Sequence, residues 1–145
     1  MFEQRWLVYA LLSAVCAAFV PIFGKVGMKG IDDTLATGIR SIIMTIFLVG
    51  LCTVLGVWSK LHTITVRPLT MIALSGLAGA TSWLFYFKAL QSGEASQVAP
   101  IDKMSVPFAA ILAFLLLKDR PTALNWAGIF VIAIGAYLAG LPRHP

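Results

Sequence analysis

Five long apolar runs separated by four short polar breaks organise the chain. The runs cover residues 6–28, 34–57, 68–90, 96–117 and 123–141, and each is close to the ~20 residues a helix needs to cross hydrocarbon. A membrane β-barrel would instead show ~10-residue segments of alternating polarity, and these runs do not alternate. The breaks at 29–33, 58–67, 91–95 and 118–122 leave no room for a folded aqueous domain, so consecutive helices are expected to run antiparallel. The expectation is an all-α integral membrane bundle of five transmembrane helices, with function carried between the helices.

Composition supports this reading. Of the 145 residues 59% are apolar and 12% are charged. Ordinary soluble domains carry about 25% charge, so this chain has too little polar surface to cover a core in water. The net charge of +5 fits basic loops on one side of a bilayer. It comes without a basic run interleaved with aromatics, which argues against a nucleic-acid partner. Cys16 and Cys52 lie inside apolar runs with no His, Asp or Glu nearby in sequence. They read as small packing residues rather than a disulfide or a metal pair. Arg5 followed by an apolar run resembles the start of a signal peptide, but the run is too long and lacks a convincing cleavage site, so it reads as a retained helix.

Basic residues set an expected orientation. Arg5, Lys60, Arg67, Lys118 and Arg120 fall on the side of the N-terminus; Lys29 and Arg143 fall opposite, with Lys25 and Lys88 at the border. The bias places the N-terminus in the cytoplasm and, with five spans, the C-terminus outside. Trp6, Tyr9, Trp58 and Tyr137 suit interfacial positions. Pro21, Pro100 and Pro107 lie inside spans, and Pro107 removes the N–H that would otherwise bond the carbonyl of Lys103. Small residues gather in the third run (Ser75, Gly76, Ala78, Gly79, Ala80, Ser82) and along one face of the fifth (Gly128, Gly135, Ala139). Such faces let helix backbones approach closely, either within one chain or across a dimer.

No P-loop, dinucleotide fingerprint or zinc-protease motif is present, and His62 and His144 stand apart in a loop and a tail. The expectation is therefore a non-enzyme with no metal site. What stands out is a layer of charge in one half of the membrane. At ~1.5 Å per residue, Arg40 lies about two turns inside the second run, and Asp102 and Lys103 about two turns inside the fourth. Lys25 and Lys88 lie near span ends, where long side chains reach water. A charge in hydrocarbon costs at least ~2.5–3.5 kcal/mol on insertion scales and usually faces a partner or a polar cavity. Asp102 and Lys103, one residue apart, should point about 100° apart on a helix. Asp102 is then expected to neutralise Arg40 or Lys25, either as a structural pair or within a substrate site. Lys103, left without an evident partner, becomes the first candidate contact for an anionic solute. Arg40, Asp102 and Lys25 complete the charged set, and Trp83 and Tyr86 are candidates for an apolar wall.

The stretch Lys88-Ala-Leu-Gln-Ser-Gly-Glu-Ala-Ser, followed by Val98-Ala-Pro-Ile and Pro107, resembles the EamA repeat of the drug/metabolite transporter superfamily. So does Trp126-Ala-Gly-Ile-Phe-Val-Ile-Ala-Ile-Gly135. Phe23-Gly-Lys-Val-Gly, Leu35-Ala-Thr-Gly-Ile-Arg40 and Ile101-Asp-Lys-Met-Ser resemble a subgroup with a single five-helix repeat. The likeness extends over essentially the whole chain, as one EamA-like transmembrane domain over residues 1–145. Two departures stand out. Lys118-Asp119 replaces the usual Gly-Glu of the acidic turn, and the first run lacks the embedded glutamate of small multidrug exporters, Glu3 being too near the end.

The resemblance implies a secondary transporter of a small polar metabolite in the cytoplasmic membrane, needing no cofactor. Full-length relatives carry two inverted repeats, so one repeat implies a homodimer, plausibly antiparallel. A lipid-linked sugar flippase subunit and a non-transporting scaffold or accessory subunit are the competing expectations.

Overall fold

The five apolar runs become five membrane-spanning helical segments in the computed structural model, which describes residues 5–141. Helix α1 is Arg5–Gly27, α2 Asp33–Val54 and α3 Val66–Ser92. The fourth span, Ala95–Leu117, is built from α4 (Ala95–Asp102), α5 (Ser105–Leu112) and a wider π-helical turn, Ala113–Leu117. Helix α6 is Ala123–Gly140. No strand occurs among the described residues, and the protein is an all-α integral membrane chain. Glu3, Arg143 and His144 lie outside the described residues.

Local chemistry sets the ends of these elements. Asp32 caps α2, its carboxylate accepting from the Leu35 N–H at 2.9 Å. Helix α2 ends at Val54, three residues before the end of its apolar run, because Gly56 takes a left-handed conformation (φ 64°). A 3₁₀ turn, Val57–Thr63, follows and holds the Trp58 indole N–H against the Thr53 hydroxyl at 3.0 Å. Pro68 sits in the first turn of α3, where a missing N–H costs little. Thr122 opens α6 with a reciprocal capping box to Asn125.

The chain divides into two compact units. Residues 26–91 form one, containing α2 and α3. Arg40, near the start of α2, meets Trp83 and Phe87, near the end of α3, so these two helices run antiparallel. Phe87 and Leu90 form the buried face of α3 at helical spacing, and Thr37 is buried on α2. The Gln91 side-chain amide donates to the Ile31 carbonyl at 3.1 Å and ties the end of α3 to the turn before α2.

The second unit contains α1 to Lys25 and the chain from Ser92 onward. Here α4 and α5 pack on α6. The Gln97 amide donates to the Leu141 carbonyl at 3.1 Å, Ile101 lies against Gly140, and the Phe114 and Trp126 rings meet edge to face at 6.0 Å. These contacts join the start of the fourth span to the end of α6 and its end to the start of α6, again antiparallel. Most large apolar side chains on the spans are exposed, a surface that water would not tolerate and lipid covers.

Candidate functional site

The fourth span breaks where its two prolines weaken it. Pro107 has no N–H to offer the Lys103 carbonyl, and the Val106 N–H takes that carbonyl instead, at 3.0 Å. The N–H groups of Lys103 and Met104 likewise bond three residues back, to Pro100 and Ile101, at 2.9 Å each. A tight 3₁₀-like turn thus separates α4 from α5. The expected break is present, but the expected free carbonyl at Lys103 is not.

That turn also corrects the expected charge pairing. Lys103 Nζ lies 3.2 Å from an Asp102 carboxylate oxygen, so the two neighbours form an ion pair. The 100° rule holds along a continuous helix; Lys103 is where α4 ends, and its flexible stem folds back to the carboxylate. Lys103 is therefore not the partnerless cation expected from spacing. The Asp102 charge is neutralised by its neighbour and needs no help from Arg40 or Lys25. The side chains are 57% and 34% exposed for Lys103 and Asp102, so the pair sits on an accessible surface of its unit.

Lys25, expected to reach water from the end of its span, donates through its ammonium to the Gly93 carbonyl at 2.7 Å, in the turn between α3 and α4. That acceptor was not evident from sequence, because a backbone carbonyl in a turn carries no side-chain signal.

Arg40 has a different environment. Its guanidinium carbon lies 3.6 Å from the centroid of the Trp83 ring and 5.5 Å from that of Phe87. Trp83 meets Tyr86 edge to face at 5.5 Å and Phe87 in a tilted contact at 5.7 Å, and Tyr86 meets Phe87 at 6.1 Å. The spacing is helical: Tyr86 and Phe87 lie three and four residues beyond Trp83, on one face of α3. The structure thus gathers Arg40, Trp83 and Tyr86 in one unit and Asp102 with Lys103 in the other. Phe87, which the sequence reading passed over, is the central ring; its position one turn beyond Trp83 was the available signal.

Alongside Arg40 on α2 runs a line of hydroxyls. Thr37, Ser41 and Thr45 donate to the carbonyls of Asp33, Thr37 and Ser41 at 2.8, 2.8 and 2.9 Å. Each hydrogen is thereby occupied within the helix. Within residues 26–91 the only carboxylates are Asp32 and Asp33, which bond the N–H groups of Leu35 and Thr34. Arg40 has no carboxylate partner within its unit, and its stabilisation there comes from aromatic faces. No group of three or more His, Cys, Asp or Glu that could hold a metal occurs among the described residues.

Five apolar spans joined by short turns define a small multi-pass membrane protein. The chain belongs to the EamA-like transporter family, whose pattern it matches over residues 4–141. It is 42% identical over 136 residues to a Sinorhizobium protein named "Uncharacterized transporter in cobO 3'region", an alignment covering 94% of this chain and 96% of that one. No solved structure matches the chain significantly.

Proposed function

We propose that the chain is a secondary transporter of a small polar metabolite carrying an anionic group. It works as one EamA-like domain in a homodimer, in the cytoplasmic membrane, with its N-terminus in the cytoplasm. The orientation follows from Arg5, Lys60, Arg67, Lys118 and Arg120 on one side of the spans. The dimer follows from the single repeat, since alternating access in this kind of fold uses two repeats around a central site.

The observation that carries the reading is Arg40. Its position is seven residues past the first residue of α2, about 10 Å along the helix axis. It is a half-buried cation at membrane depth, held over the Trp83 ring and without a carboxylate partner in its unit. Intramembrane cations kept in this way mark substrate paths. The guanidinium remains charged at any working pH and presents several N–H donors, so an arriving anion supplies what its unit does not. Lys103, Asp102 and Lys25 then contribute a second, internally satisfied polar region rather than the primary contact.

Reconstitution into liposomes tests the proposal. The purified protein should accumulate labelled organic anions down an imposed gradient, and Arg40→Ala should abolish uptake while the helical content is retained. Uptake of an anion at the same rate by the Arg40→Ala protein would remove Arg40 from the path and leave the reading without its support.

A further inference from the structure

The polar break between the second and third spans is an ordered element. Val57–Thr63 forms a 3₁₀ turn that packs against the end of α2. The Trp58 indole N–H donates to the hydroxyl of Thr53, in the last turn of that helix, at 3.0 Å. The turn has little reach. Val57 comes three residues after the end of α2 and Thr63 three before the start of α3, so each end lies within about 10 Å of a span. The headgroup layer beside the hydrocarbon is roughly 5–8 Å deep on each side, so the segment is held in or beside that layer.

Three residues make one turn of a 3₁₀ helix, so side chains three apart line up. Trp58 and Leu61 share one face and are 46% and 58% exposed, so the protein itself does not cover them. Ser59 and His62 share a second face, and Val57, Lys60 and Thr63 the third. The Ser59 and Thr63 hydroxyls donate to the carbonyls of Gly56 and Lys60 at 3.0 and 2.7 Å. The polar faces keep two groups free to bind, the Lys60 ammonium and the His62 imidazole, and Arg67 adds a guanidinium at the start of α3. All three side chains are exposed, and none has a hydrogen bond or ion pair among the described residues.

No carboxylate occurs between Asp33 and Glu94, so the charge of this segment is positive throughout. The other basic turn, residues 118–122, differs on both counts. Asp119 stands between Lys118 and Arg120, and no helical turn gives it an apolar face.

An exposed apolar face beside unpaired cations is the pattern of an element that lies in the membrane interface. Lipid covers Trp58 and Leu61, the indole resting at headgroup level. A lipid phosphate accepts from Lys60 or Arg67. A zwitterionic headgroup brings its own cation with each phosphate and offers these residues no net charge, whereas an anionic headgroup does.

We infer that the 3₁₀ turn Val57–Thr63, together with Arg67, is an interfacial binding surface for anionic phospholipid. Lys60 and Arg67 hold lipid phosphate, and Trp58 and Leu61 seat the turn in the interface. The inference is independent of what Arg40 binds.

Photoactivatable phosphatidylglycerol and phosphatidylcholine test it, each added at the same mole fraction to phosphatidylcholine nanodiscs that hold the full chain, with labelled peptides mapped by mass spectrometry. Residues 57–67 should label at least roughly fivefold more with phosphatidylglycerol, the ratio that one basic residue near the surface supplies. Residues 118–122 should show a smaller preference. Unlabelled phosphatidylglycerol should compete, and glycerol 3-phosphate, which has no acyl chains, should not. Lys60→Gln combined with Arg67→Gln should bring the ratio at 57–67 close to one, with far-UV circular dichroism unchanged. Leu61→Glu should lower labelling there by both lipids. Equal labelling of 57–67 by the two lipids overturns the inference, as does the same preference at 118–122, which would be a general charge effect of the leaflet. A preference that survives the double variant removes Lys60 and Arg67 from the surface, and unchanged labelling of Leu61→Glu removes its apolar face; either overturns the assignment. Competition by glycerol 3-phosphate would make this a site for soluble phosphate and overturn it as a lipid surface.

Discussion

Side chains one residue apart on a helix diverge by about 100°, yet Asp102 and Lys103 meet at 3.2 Å where α4 stops, the long lysine stem folding back to the carboxylate. The prolines that cause the stop were plain in the sequence; their effect on the neighbouring charges was not, because spacing rules presume an unbroken helix. The consequence is testable by a double-mutant cycle. Lys103→Ala should strand the Asp102 carboxylate and Asp102→Ala should strand the Lys103 ammonium, each lowering the melting temperature. The double variant removes both charges and should be more stable than the sum of the single effects implies, with a coupling of about 1 kcal/mol for a pair this exposed. Additive losses would mean that the ion pair contributes nothing. Arg40 shows the converse lesson: its depth was readable from position alone, whereas its Trp83 and Phe87 partners depend on the start of α2 meeting the end of α3 in space.

At the scale of elements the apolar pattern carried most of the information. The spans end within three residues of their apolar runs, and where they differ a backbone feature explains it, as Gly56 does for α2. The turn before α6 shows two local devices of opposite sign. Lys118 adopts a left-handed conformation (φ 60°), a strain of about 1–2 kcal/mol for a residue with a Cβ. Four residues on, the Thr122–Asn125 capping box stabilises the start of α6. Thr122→Ala should lower stability by about 1 kcal/mol in denaturant unfolding from detergent micelles, and Thr122→Ser should not. Lys118→Gly should raise stability by a comparable amount, since glycine adopts this backbone without steric cost. A neutral Thr122→Ala would show that the α6 terminus is held by packing of Trp126 and its neighbours instead.

At the scale of the whole molecule, multi-pass character and family follow from sequence, but the use of the small-residue faces does not, because a glycine stripe serves intrachain and interchain packing equally well. The structure separates the glycines of α6. A Cβ built on Gly140 collides with the Ile101 side chain, so Gly140 serves the packing of α6 on α4. A Cβ on Gly128 or Gly135 meets nothing within 4 Å. Those two positions are therefore open within their unit and suit a close approach by a second copy in the proposed dimer. Gly140→Leu should destabilise the protein itself, seen as a lower melting temperature at any protein-to-lipid ratio. Gly135→Leu should leave the chain folded but hold two copies apart, shifting cross-linked species from dimer to monomer as the protein is diluted in lipid, with transport lost in parallel. The two substitutions lie five residues apart on one helix and add the same side chain, so a difference between them cannot be assigned to bulk or hydrophobicity. Should Gly135→Leu remain dimeric and active, α6 is not the dimer contact. A wild-type chain that transports as a monomer in lipid would sink the dimer altogether.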